Sequence, residues 1–281
     1  MIKQCRLCGE SDLKSGLNLG LMPLVNSLLL KEQLSEQEEK FPLELLFCTT
    51  CSLVQLSETI DPKRLFDQYL YFSSFSDTMV SEARSLSHRL CQERGLSSSS
   101  QVIEIASNDG YLLQWYRAAG IPVLGIEPAK NIAEYAQVQK GIPTICDYFG
   151  SNLAEDLNRR GIMADVIHAN NVMAHVPDIN GFVRGISKVL KPAGIAVIEV
   201  PYAIDMVLKC EFDTIYHEHI FYFSAKSLNN AFERHGLCIQ KIEQLPIHGG
   251  SLRVFVGHGR AKQPELVEDE LNSSFLEQLL S

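Results

Sequence analysis

Along the chain, short apolar runs alternate with amphipathic stretches from residue 101 onward, and each run is closed by Gly, Pro, Asn or Asp. "QVIEIA" (101–106) predicts a buried strand, and the segment after Gly110 a helix. "PVLGIE" (122–127) predicts a second strand with a helix from Ala129 to Gln139, and "PTIC" (143–146) a short third. "ADVIHA" (164–169) is a fourth, with a helix over 178–190 that stops before Pro192, and "GIAVIEV" (194–200) a fifth. A helix near 225–235 and two strands, "LCIQKIEQ" and "SLRVFVGH", follow. Five βα units and a final hairpin predict an α/β fold: an open, doubly wound Rossmann-like sheet whose last strand runs antiparallel.

The flanks read differently. "DPKRLFDQYLYFSSFSDTMVSEARSLSHRL" gives two helical stretches broken near Ser73 and Ser74, and "SSSS" (97–100) is an exposed break before the larger unit. From Pro264 to Ser281, Val267, Leu271, Phe275 and Leu279 recur every fourth residue, as in an amphipathic helix that needs a partner. The expected organisation is 1–70, 71–258 with a helical lead-in, and 259–281.

A chain of 281 residues can hold one large core and a small satellite. A net charge of −9 argues against a nucleic-acid partner, which needs a basic face. No apolar run approaches membrane-spanning length and the N-terminus has no signal-like apolar stretch, so the expectation is a cytoplasmic protein with no membrane partner.

In a cytoplasmic chain, eight cysteines suggest metal ligands or core thiols. Cys5, Cys8, Cys48 and Cys51 form C-x2-C…C-x2-C, whose two tight turns can present four thiolates to one tetrahedral Zn²⁺ with no open position. The expected role is structural, in a unit too small to hold a core without metal. A redox dithiol or a buried pair is the alternative. Cys91, Cys146, Cys210 and Cys238 stand alone and are expected in the core.

The loop after the first strand of the larger unit, "EIASNDGYLL", decides between cofactors. A dinucleotide's pyrophosphate needs several glycines; here only Gly110 is available, and Ala106, Ser107, Asn108 and Asp109 carry side chains. S-adenosylmethionine (SAM), with a sulfonium cation and an amino group, suits this acidic loop. Glu127 ends the second strand and can take both ribose hydroxyls, and Asp147 follows the third and can take the adenine amino group. Glu104, Tyr111 and Asn170 complete the expected cofactor set. Solvated acids on an ordinary strand–turn–helix are the bland alternative.

The C-x2-C pairs with "EIASNDG", "GIEP", "ANNVMAHVPD", "DTIYHEH" and "HGGSLR", in this order, resemble the zinc-containing SAM-dependent sugar C-methyltransferases over nearly the whole chain. That resemblance implies methylation of the carbon beside the ketone of a nucleotide-linked 4-keto-deoxysugar, through an enolate formed by a histidine base. It implies His219 as the base, Glu218 as its orienting or sugar-contacting partner and Tyr216 in the pocket wall. It also implies His175 on the keto oxygen and Tyr71 reaching in from the N-terminal unit, with Tyr69 as its alternate. His248 and Arg253 become substrate-side candidates. Ala106 departs from the family's usual glycine. The family also continues into a further C-terminal domain, so a missing domain or a partner chain is expected.

For "YHEH", structural hydrogen bonding and a second metal are the competing readings, although H-E-H lacks the spacing of H-E-x-x-H. His217 is expected to support structure, and His168 and His235 to be ordinary. At the level of the whole protein, O- or N-methylation of another small molecule and a non-catalytic binding module are the competing functions.

Overall fold

The computed structural model describes residues 2–66, 71–247 and 249–259. Two sheets organise it. The larger follows the order β10-β11-β8-β7-β4-β5-β6. Its parallel part comprises β4 (Val102–Ile105), β5 (Val123–Ile126), β6 (Thr144–Ile145), β7 (Ala164–Asn170) and β8 (Leu190–Pro201). β11 (Ser251–His258) runs antiparallel to β8, and β10 (Leu237–Leu245) closes the edge antiparallel to β11. The expected final antiparallel strand is present, inserted between its hairpin partner and the parallel strands.

Every residue of β4 is buried, as for a central parallel strand covered on both faces. Helices α3 (Leu113–Ala118), α4 (Lys130–Lys140), α6 (Ile179–Val189) and α8 (Ala225–Glu233) fall where the apolar periodicity places them. The Asp178 side chain accepts from the Gly181 N–H at 2.8 Å to start α6, and Ser224 forms a capping box with Ser227 to start α8. The 62–94 segment holds α1 (Pro62–Phe66) and α2 (Asp77–Arg94), with a short 3-10 turn at Ser73–Phe75 between them. Helices α5 (Ser151–Arg159) and α7 (Ala203–Leu208) were not expected from the sequence.

The smaller sheet has the order β1-β2-β3-β9. β1 (Leu13–Met22), β2 (Phe41–Cys48) and β3 (Val54–Leu56) form an antiparallel meander. Its fourth strand, β9 (Phe221–Tyr222), comes from far along the chain, pairing Val54 with Tyr222 and Gln55 with Phe221. The N-terminal unit therefore shares its core with the larger one: Leu45, Leu53 and Leu56 lie in one continuous apolar cluster with Ile198, Phe223 and Phe232. Burying an aromatic side chain such as Phe221 or Phe223 is worth about 1.5–3 kcal/mol. That exceeds the net of about 1 kcal/mol from a neutral hydrogen bond, so packing carries most of the seam.

The terminal helix expected over 264–281 lies outside the described residues. Cysteine placement corrects one expectation. Cys238 is buried and Cys91 half-buried, but Cys146 and Cys210 are exposed, because each falls in a connection beyond an element end rather than on an inward face.

Candidate active site and zinc centre

The two C-x2-C turns have matching backbones. The Gly9 N–H donates to the Cys5 carbonyl at 2.9 Å and the Ser52 N–H to the Cys48 carbonyl at 2.8 Å. Gly9 and Ser52 both take positive φ, 80° and 61°. This curls each turn so that both of its sulfurs face the same point. The four sulfurs lie within 4.8 Å of one another, with Cys5–Cys51 at 3.6 Å and Cys8–Cys48 at 3.5 Å. Tetrahedral Zn–S bonds of about 2.3 Å set sulfurs about 3.8 Å apart, so the donor set and spacing fit Zn²⁺.

Polar contacts support the cluster. Gln55, fully buried, donates Nε2–H to Cys5 Sγ at 3.1 Å, as an outer partner of a thiolate ligand should. Asn230 on α8 donates to the Cys51 carbonyl at 3.1 Å. Asn180 on α6 donates to the Arg6 and Leu7 carbonyls at 2.9 and 3.0 Å. Both turns are thereby fastened to helices of the larger unit.

At the carboxyl ends of β4, β5 and β7 the loop 106–110 folds tightly. Ala106, Asn108 and Gly110 have φ of 51°, 48° and 79°. At Gly110 a Cβ would also meet Ile142 Cγ1 at 2.7 Å, so glycine is required there on two counts. Ala106 has a left-handed conformation that costs an alanine about 1–2 kcal/mol, which is why glycine suits this position.

Glu127 is built into the loop: one carboxylate oxygen accepts from the Asn108 N–H and the other from the Ala129 N–H, both at 2.9 Å. Burial raises its pKa, and the two N–H donors oppose that shift. Tyr71 meets the loop through its backbone. Asn108 Nδ2 donates to the Tyr71 carbonyl at 3.0 Å, the Ser73 N–H donates to Asn108 Oδ1 at 2.8 Å, and the Tyr71 ring is half-exposed. Asp147 is exposed and accepts from the Tyr148 N–H at 2.7 Å.

Beneath the loop lies a well of buried acceptors. Glu104 Oε2, Ser107 Oγ, both carboxylate oxygens of Asp109 and Asn170 Oδ1 are enclosed with no donor from the described residues. Burial, then the charges of Asp109, Glu127 and Glu199, push Glu104 well above the carboxylate range. Burial, then the charges of Glu104 and Glu199, likewise push Tyr111 well up, and the neighbouring Asn170 side chain opposes that. Such a well repels pyrophosphate and favours a ligand carrying a positive charge and N–H donors. An amino group beside a sulfonium has that chemistry, so the residues fit SAM.

Arg253 lies deep in β11. Its Nε bonds Glu199 and one terminal nitrogen bonds Glu82, both at 2.7 Å, while the other terminal nitrogen lies 3.5 Å from Glu243. With all three nitrogens on carboxylates, it serves as counter-ion to Glu199. His248, its expected companion, lies outside the described residues, as does Tyr69.

The "YHEH" stretch follows a one-turn 3-10 helix at Phe212–Thr214 and faces in two directions. The Thr214 carbonyl can only accept, so His219 Nδ1–H donates to it at 3.0 Å. His219 Nε2 then carries the lone pair and accepts from the Tyr216 hydroxyl at 2.8 Å. The Tyr222 hydroxyl also donates to the Thr214 carbonyl, at 3.2 Å.

His175, from the 3-10 turn Met173–His175 after β7, sets its ring edge-to-face on His219 with centroids 4.9 Å apart. Enclosure of its Nδ1, then the neighbouring His219, depress its pKa to about 3, so it is neutral near pH 7. His217 and Glu218 face the opposite way, toward the N-terminal unit. His217 packs edge-on against Phe41 with centroids 6.0 Å apart, and Glu218 Oε1 accepts from Asn26 Nδ2 at 2.6 Å. The only group of metal-ligating side chains among the described residues is the four cysteines, so the second-metal reading of "YHEH" has no cluster to rest on.

Sequence reasoning pointed to Tyr216, His219 and His175, which the fold brings together, and to Glu218, which it turns toward Asn26 of the N-terminal unit. It missed Asn26, Thr214, Tyr222, Asn180 and Asn230. Asn26, Asn180 and Asn230 act through hydrogen bonds to residues far along the chain, and Thr214 and Tyr222 through bonds within the 214–222 stretch.

Known proteins share this fold. The family described as "Methyltransferase domain" matches residues 77–242, and the one described as "Putative zinc binding domain" matches residues 5–66. A methyltransferase match over more than half of the chain, on a class I methyltransferase sheet, shows that the chain belongs to the methyltransferases.

Among individual relatives, the chain is 37% identical over 261 residues to "C-methyltransferase NovU" of Streptomyces niveus, covering 92% of this chain and 62% of that protein. It is 24% identical over 156 residues to the human mitochondrial "Ubiquinone biosynthesis O-methyltransferase", covering 50% of this chain and 42% of the relative. The chain thus spans less than two thirds of the length of either relative.

Among solved structures, magnesium protoporphyrin IX methyltransferase from Synechocystis PCC 6803 with bound SAH superposes with a TM-score of 0.51 at 12% identity. It covers 70% of this chain and 92% of that one. At that identity the likeness is one of fold. Among the described residues, no helix is long and apolar enough to cross a membrane.

Proposed function

We propose that the protein is a SAM-dependent C-methyltransferase acting on the carbon beside the ketone of a nucleotide-linked 4-keto-deoxysugar. The observation that carries this reading is the Tyr216–His219 pair. His219 Nδ1–H is pinned to a carbonyl, so Nε2 keeps its lone pair and points at the Tyr216 hydroxyl. A histidine held in that tautomer takes up a proton at Nε2, directly or through the tyrosine hydroxyl.

Removing the proton beside a ketone gives an enolate, whose oxygen needs a donor. Neutral His175, ring against ring with His219, is the candidate for that hydrogen bond. Glu218, buried and held from the N-terminal unit, is the candidate for a sugar hydroxyl. SAM, when bound over Glu104, Asp109 and Asn170, supplies an electrophilic methyl group. Asp147 and Glu127 are the candidates for its adenine amino group and ribose hydroxyls. Glu127 would use its remaining acceptor capacity, since both oxygens already hold backbone N–H groups. The likeness to NovU, named a C-methyltransferase, supports carbon as the acceptor.

Incubation with SAM and a panel of nucleotide-linked 4-keto-deoxysugars, read by mass and by the carbon shift of the new methyl, tests the proposal. A methyl on carbon beside the ketone is expected. A methyl on oxygen, or transfer to none of the panel, overturns it.

A further inference from the structure

We propose that Asn26 is a positioning residue through which the zinc-bearing unit fixes the carboxylate of Glu218 for the sugar. This rests on the reading of Glu218 given above. Between residues 217 and 222 the chain is held largely from the N-terminal side. His217 packs on Phe41, Glu218 takes the amide of Asn26, and the Leu56 N–H donates to the Ile220 carbonyl at 2.9 Å. Phe221 and Tyr222 pair with Gln55 and Val54. Tyr216 and His219 instead bond each other and Thr214.

Of these holds, only Asn26 grips a carboxylate. Glu218 is 3% exposed, and a buried carboxylate needs a donor. Asn26 supplies it at 2.6 Å from an exposed turn in which the Ser27 N–H returns to the Leu24 carbonyl. Only the NH₂ end of an asparagine can face a carboxylate, which fixes the amide's orientation. One oxygen of Glu218 is thereby occupied and the carboxylate plane set. Asn26 does this without contacting the base.

The test uses Asn26→Ala and Asn26→Asp in the full chain, the second placing an acceptor where a donor is needed. Both are expected to lower kcat/KM for the accepted sugar about 10- to 100-fold, the usual worth of a hydrogen bond to a charged group. Asn26→Asp should be the worse of the two, and SAM affinity and zinc content should stay unchanged. In a Glu218→Gln background the effect of Asn26→Ala should shrink to less than about threefold, because the two residues act as one unit.

A readout that needs no substrate is the ¹³C carboxyl resonance of Glu218 in glutamate-labelled protein, assigned by its loss in Glu218→Gln. It should move in both Asn26 variants. An unmoved resonance, or a full loss of kcat/KM that persists in the Glu218→Gln background, overturns the inference. If no 4-keto sugar accepts a methyl, the reading of function fails and the resonance alone decides whether Asn26 holds Glu218.

Discussion

The acidic well under the 106–110 loop and the "YHEH" stretch are both polar sites at the rim of a hydrophobic core, yet they are made in opposite ways. The well is local. Most of its acids and its turn come from residues 104–111 and the end of the next strand, and Glu127 reaches back only 19 positions to brace Asn108. The stretch is global: Asn26 meets Glu218 across 192 positions, and β9 completes a sheet begun before residue 23. A locally made site can survive rearrangement of its neighbours. One assembled from two units depends on everything that docks them, including the metal centre fastened to α6 and α8 by Asn180 and Asn230.

Removing the metal should separate the two regions most sharply. Structural zinc sites contribute about 10–16 kcal/mol of binding free energy. Cys48→Ser, or exhaustive chelation, is therefore expected to abolish methyl transfer and expose residues 1–60 to limited proteolysis. SAM affinity by calorimetry should fall much less. An equal collapse of both would show that the shared core makes the two regions one cooperative unit.

Within the stretch, His219→Asn should cost about 10²–10⁴-fold in turnover, the worth of a general base, with SAM binding intact. Deuterium exchange at the carbon beside the ketone isolates the proton-transfer step. Exchange that persists at the wild-type rate in this variant would move the base to Tyr216 or His175.

Within the well, Glu127→Ala should weaken SAM binding by about 1.5–3 kcal/mol in calorimetry, since it removes hydrogen bonds to a charged group. Part of that loss comes from releasing the Asn108 and Ala129 N–H groups, which the side chain braces. Unchanged affinity in folded Glu127→Ala would place the ribose elsewhere.

Taken per pH unit, the smallest effect concerns acid stability beside the well. His168, fully buried next to β4 and bonded to the Tyr116 hydroxyl at 2.8 Å, has its pKa depressed by burial to about 3 from 6.5. Between those values the unfolded chain binds a proton that the folded chain refuses. This residue therefore lowers stability as pH falls, by about 1.4 kcal/mol per pH unit. His168→Gln can keep the tyrosine partner and cannot titrate, so its stability should fall less steeply from pH 6.5 to 4 in denaturant unfolding. Parallel slopes for the two proteins would show that His168 does not set acid sensitivity.

The sequence by itself determined the features whose cause is local. Apolar runs closed by Gly and Pro marked the strands of the large sheet, because period and turn chemistry act over a few residues. The C-x2-C spacing marked the metal centre, because two thiolates on one turn need no distant partner. The glycine-poor, acid-rich loop after β4 marked the ligand chemistry, because both its turn and its charge lie in one run of residues. Helix α5 went unread: its inward face is made chiefly by Ala154 and Leu157, too little apolar pattern for "SNLAEDLNR" to stand out.

Only the tertiary structure decided what surrounds each side chain. It drew Arg253 into Glu199, Glu82 and Glu243, because those carboxylates, brought together by folding, need a counter-ion. It exposed Cys146 and Cys210, which were expected in the core. It also set Asn26 on Glu218 and Thr214 on His219, because a hydrogen bond depends on where two atoms arrive in space, and separation along the chain gives no sign of it.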